Sequence, residues 1–86
     1  MIPVYADLYV ANPDALVAEG FDGCYVGFTL GPRPCVAVYD HDACVHTLAA
    51  MRHITAAEAA AYLTREVVLV YVGEHSPLFM CVKNIP

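Results

Sequence analysis

The chain has 86 residues, room for one core and not for two. Its net charge is −5, and the basic residues Arg33, Arg52, Arg65 and Lys83 are scattered, so it lacks the basic stripe that nucleic acid requires. Apolar residues make up 59% and mean hydropathy is +0.54, yet the longest apolar run, residues 67–72, falls far short of the ~20 residues of a spanning helix.

A fold this small buries only about 60–65% of its unfolded surface. Apolar side chains beyond that capacity mark an interface, so the composition points to binding another protein chain. No basic segment followed by a long apolar block opens the sequence, which predicts a cytoplasmic protein. Cys24, Cys35, Cys44 and Cys81 form no Cys-x-x-Cys pair and are read as reduced, buried small hydrophobes.

In chain order, residues 2–10 read as a strand or extended arm, with Val4, Ala6, Leu8 and Val10 alternating with Tyr5, Asp7 and Tyr9. Asn12-Pro13-Asp14 reads as a helix start, with Asn as cap and Pro at the first helical position; Gly20 stops this short helix. Residues 24–30 and 35–39 are predicted strands joined by Gly31-Pro32-Arg33-Pro34, a strong turn. A four-residue loop sets Leu30 opposite Cys35, Phe28 opposite Ala37 and Val26 opposite Tyr39.

Asp40 is the predicted cap of a helix to about Met51, with Cys44, Leu48 and Met51 on its core face. Thr55-Ala56-Ala57-Glu58 is a capping box opening a second, alanine-rich helix to about Thr64. Residues 67–72 are β-branched enough for a strand, 73–77 form a polar loop, and 78–82 return as a second strand. Both faces of that hairpin are apolar, and helices cover only one.

The predicted architecture is one α+β domain over residues 1–86. It comprises an N-terminal arm and short helix (1–20), a β-hairpin (24–39), two helices (40–64) and a second β-hairpin (66–82). The sheet is expected to be antiparallel, with the helices packed on one face.

Asp40-His41-Asp42-Ala43-Cys44-Val45-His46 concentrates metal-ligand side chains. On a helix, however, His41/Cys44 and Asp42/His46 point in different directions, and a closed zinc site needs about four converging ligands. A Cys44 nucleophile would sit on the apolar face, where a thiol is inert. No catalytic, cofactor or metal residues are therefore assigned.

The partner-binding residues assigned are Tyr5, Asp7, Tyr9, Asp22, Glu66, Tyr71, Glu74, His75 and Phe79: tyrosines and Phe79 as anchors, acids for steering, and His75 at a loop tip. Asp14 adds to the steering charges.

From Cys24 onward, Ala37-Val38-Tyr39-Asp40, Cys44, Ile54-Thr55, Glu58-Ala59, Val72-Gly73-Glu74 and Ser76-Pro77-Leu78-Phe79 resemble, in order and spacing, a pattern of small acidic phage and prophage proteins. The chain departs from that pattern at Arg52-His53, which is shorter, and at Ala60, Ala61 and Tyr62. The resemblance implies no catalytic residues and no cofactor. It implies a setting in mobile genetic elements, and anti-CRISPR proteins are similar in size and charge.

The function expected is a non-enzymatic protein-binding module, inhibiting a host defence complex by occlusion, with a homodimer in solution. A structural homodimerisation unit and a small metal- or thiol-dependent enzyme are the alternatives. Neither nucleic acid nor membrane is an expected partner.

Overall fold

The computed structural model describes residues 4–31, 33–68 and 73–82. In order they form α1 (Ala6–Ala11), a 3-10 turn (Asp22–Cys24), β1 (Tyr25–Phe28), β2 (Ala37–Asp40), α2 (His41–Arg52), α3 (Ala56–Leu63), a π-helical turn (Thr64–Val68) and β3 (Leu78–Met80). The α+β class is as the sequence predicts; several elements differ.

The first difference is at the N-terminus. The strand or arm expected over residues 2–10 is a helix from Ala6 to Ala11. Tyr5, Leu8 and Asn12 are buried, whereas Val4 and Val10 of the alternating set are exposed. Burial at i, i+3 and i+7 is the helical period, so the alternation of apolar and polar letters was coincidental. The helix expected from Asn12 to Gly20 is instead a turn followed by irregular backbone.

Asn12 does act as an acceptor for the amide two residues on (Asp14 N to Oδ1, 3.1 Å), as a cap would. The backbone beyond it finds tertiary partners instead of helical ones: Leu16 N–H donates to the His75 carbonyl (3.0 Å) and Ala18 N–H to the Tyr39 hydroxyl (2.8 Å). Those bonds satisfy donors that a helix would otherwise have to pair.

The first hairpin forms with Phe28 opposite Ala37, the register expected. Beyond that pair an irregularity between Tyr25 and Gly27 sets Tyr25, not Val26, opposite Tyr39. The strands are also shorter than expected, since Leu30 and Cys35 lie outside them; Thr29 and Val36 still bond, through Thr29 N to Val36 O (2.9 Å) and Val36 N to Thr29 Oγ1 (3.0 Å).

The other two predicted helix starts hold. Asp40 Oδ1 accepts from Asp42 N (3.1 Å) and Ala43 N (3.4 Å). Thr55 and Glu58 form the reciprocal box, Glu58 N to Thr55 Oγ1 at 3.1 Å and Thr55 N to Glu58 Oε1 at 3.2 Å. The core stripe of α2 is Cys44, Val45 and Leu48; Met51, expected there, is 61% exposed. α2 ends at His53, which adopts a left-handed φ of 56° and turns the chain into α3. Through Ala59 and Leu63, both fully buried, α3 packs on the rest of the core, and its main neighbour is α2.

Most of the first strand expected for the second hairpin falls outside the described residues. Val67 and Val68 belong to the π-helical turn that continues α3, and 69–72 lie outside the described residues. β3 pairs with β2, and the pairing is parallel: Val38 opposite Leu78, Tyr39 opposite Phe79, Asp40 opposite Met80. The sheet is therefore mixed, in the order β1-β2-β3, rather than antiparallel. A parallel neighbour needs a long crossover, and α2 and α3 supply it.

Alternation along β2 and β3 separates two faces. Ala37, Tyr39 and Phe79 face the core that contains Leu8, Phe21, Cys44, Leu48, Ala59 and Leu63. Val38, Leu78 and Met80 face the other way.

Candidate interaction surface

The inner face is organised around Tyr39, whose side chain is fully buried. Its ring stacks on Phe79, with centroids 5.4 Å apart and planes at 21°, and meets Tyr5 and Tyr25 edge-on. Tyr5 and Tyr25 are themselves 4.8 Å apart. The hydroxyls run in one direction. Tyr5 OH donates to Asp22 Oδ1 (2.9 Å), so its 2.8 Å contact with Tyr39 makes Tyr39 the donor, while Tyr39 accepts from Ala18 N–H. Burial, and then the bond with Tyr39, raises the ionisation of Tyr5 well above the usual tyrosine range. Tyr25 is pushed up to about 12 by burial and by the neighbouring Asp7 carboxylate, to which its hydroxyl donates at 3.3 Å.

Several residues assigned to partner binding thus have structural duties. Tyr5 is a buried core ring, Asp22 receives its hydroxyl, and Phe79 is half-buried against Tyr39. Asp7 accepts from Leu8 N (2.8 Å) in the first turn of α1. Tyr9 is exposed. Glu66 is exposed and paired with Arg65 at 3.0 Å, and Asp14 is exposed beside the Asn12 turn. Tyr71 lies outside the described residues.

His75 is a bolt more than a tip. Asn12 Nδ2 lies 2.7 Å from the Cys35 carbonyl and 3.0 Å from His75 Nδ1. An amide nitrogen only donates, so His75 Nδ1 accepts and the neutral ring carries its proton on Nε2, 3.8 Å from the exposed Glu74. Through this one amide, the segment after α1, the strand-joining loop and the approach to β3 are held together.

The outer face is different. Leu78, Met80 and Val82 stand at alternate positions along β3 and its continuation, 47%, 51% and 47% exposed. Leu30, two residues beyond β1, is 80% exposed. Between them lies a cavity of about 340 Å³ lined by Thr29, Leu30, Arg33, Pro34, Val36, Gly73, Glu74, Ser76 and Leu78. The Ser76 hydroxyl, buried at its edge, has no hydrogen-bond partner among the described residues. An apolar row running into an apolar cavity, with one cation, one carboxylate and one unsatisfied hydroxyl at the rim, is the composition of a contact patch. Sequence reading found Phe79 and Glu74 near this place but missed Leu30, Leu78, Met80 and Val82, because strand alternation alone leaves open which face the helices cover.

The ligand-type residues of the 40–46 segment separate. Cys44 is fully buried, and burial, reinforced by the adjacent Cys24, pushes its thiol up to about 12, so it is neutral near pH 7. His46 is exposed on another side of α2. His41 and Asp42, by contrast, are joined by Cys81, a residue forty positions away. No helix among the described residues is long and apolar enough to cross a membrane.

Comparison with protein-family models, with curated proteins and with solved structures finds no match to this chain.

Proposed function

We propose that the chain is a non-enzymatic protein-binding module that docks through the outer face of its sheet. Its setting on this reading is the host-cell cytoplasm, as an accessory protein of phage or mobile-element type that occludes a host defence complex. The observation that carries the docking part is the row Leu78, Met80 and Val82, about half exposed along β3 and its continuation and continuous with the Leu30 cavity. Soluble chains rarely leave such a row bare without a partner to cover it. The net charge of −5, with exposed carboxylates at Asp7, Asp14, Asp22, Glu66 and Glu74, supports a partner with a basic surface, since it speeds encounter with one.

Self-association through the same face is the second reading. It is favoured by the same apolar row, which a second copy of the chain would cover as well as a partner protein would.

The test uses the full chain and the double variant Leu78→Asp, Met80→Asp. Expressed in cells carrying a nucleic-acid-targeting defence complex, the wild-type chain restores plaque formation by a targeted phage, and the folded double variant does not. A wild-type chain that relieves none of the host's defences overturns the inhibitor reading. Light scattering on both proteins decides self-association: a clean monomer at high micromolar concentration removes the homodimer.

A further inference from the structure

We infer that His41, Asp42 and Cys81 form a binding site for a divalent transition metal ion of the zinc class. The site follows from the strand pairing. Because β2 and β3 run parallel with Asp40 opposite Met80, the next residues of each strand, 41 and 81, leave the sheet side by side. One potential ligand atom from each of His41, Asp42 and Cys81 lies within 4.8 Å of the others. His41 Nδ1 is 3.7 Å from Asp42 Oδ1, too long for a hydrogen bond. That ring nitrogen is also shielded from solvent and without a hydrogen-bond partner among the described residues, an unfavourable state for a polar atom that a metal ion would relieve.

The donor set selects the ion. One imidazole, one thiolate and one carboxylate suit a borderline-soft ion, whereas magnesium and calcium take oxygen ligands. Zinc bonds of about 2.0–2.3 Å put tetrahedral ligands about 3.3–3.7 Å apart. The His41–Asp42 separation is already close to that, and Asp42 and Cys81 are exposed and free to rotate inward. The positive end of α2 opposes a cation here by about half a charge, which the Asp42 carboxylate and the Cys81 thiolate outweigh. On binding, the Cys81 thiol releases its proton to solvent and the sulfur coordinates the ion. Three protein ligands leave the fourth position to water, and the ion ties the end of β3 to the start of α2.

Cobalt(II) titration of the intact chain tests this. One ion per chain, with a thiolate-to-cobalt charge-transfer absorption, is expected. Cys81→Ser loses that absorption. His41→Gln binds zinc more weakly by at least the roughly tenfold seen when outer partners of a metal site are removed. His46→Gln, off the cluster, binds as the wild type does. In the wild-type chain zinc also slows alkylation of Cys81, a readout that needs no variant. An absent charge-transfer band, a band that survives Cys81→Ser, one ion per two chains, or equal weakening by His46→Gln overturns the site.

Discussion

The inner and outer faces of the sheet carry side chains of similar hydropathy and are treated differently by the fold. On the inner face Ala37 and Tyr39 are sealed and Phe79 is stacked beneath helices and the N-terminal segment. On the outer face Val38 of the middle strand is buried too, but Leu78 and Met80 on β3 stay about half exposed. Hydropathy therefore does not decide which face becomes core. The inner face has something the outer lacks, a directional chain from Ala18 N–H through the Tyr39 and Tyr5 hydroxyls to Asp22, which accepts only one arrangement of the segments it joins. The general lesson is that apolar area drives burial while buried hydroxyls specify which pieces meet.

The sharpest way to break this contrast is Tyr39→Ala. It removes a fully buried ring and is expected to cost about 3–5 kcal/mol of stability in urea unfolding. Tyr39→Phe keeps the ring and strands the Ala18 amide, so a smaller loss of about 1–3 kcal/mol is expected by the same measurement. A loss near zero would mean that packing alone, not the hydroxyl chain, holds the inner face.

Alkaline titration probes the same face without mutation. Cys44 and Tyr25 are each pushed up to about 12 in the folded chain, from 9.0 and 10.0. Between those values the unfolded chain gives up protons that the folded one retains, so stability is full below about pH 9 and falls as pH rises towards 12. Unfolding followed against pH should show that decline, and Cys44→Ala should delay its onset.

Thr55→Ala touches neither face of the sheet and serves as calibration. It deletes the box at the start of α3 and is expected to cost about 1 kcal/mol. The smallest change in stability belongs to Leu78→Asp with Met80→Asp. Within about 0.5 kcal/mol of wild type is expected, because exposed positions tolerate charge. A loss as large as that of Tyr39→Ala would show that the outer face is core after all.

Much of the candidate surface was hidden in the sequence for a plain reason. Its members, Leu30, Leu78, Met80 and Val82, differ in no local respect from the apolar residues that the helices cover. Only the parallel register of β2 and β3 sets Leu78 and Met80 on the side away from the core. The His41–Asp42–Cys81 cluster was hidden in the same way: the sequence shows His41 and Asp42 beside Cys44, but Cys44 turns into the core and Cys81 arrives from across the sheet.

What the sequence determined by itself is everything whose physics is local. Asp40 and the Thr55–Glu58 box start their helices because each cap satisfies amides within a few residues. Phe28 meets Ala37 because they lie close in the chain and the Gly31-Pro32-Arg33-Pro34 stretch between them turns it back. Tertiary structure decided the rest. Asn12 had the letters of a helix cap, yet its amide bonds Cys35 and His75 and the backbone that follows bonds distant groups. The N-terminal alternation became a helix, and β3 chose β2 as a parallel neighbour. In each case long-range bonds and burial outweighed a local preference worth about 1 kcal/mol or less, a margin no short stretch of sequence can protect.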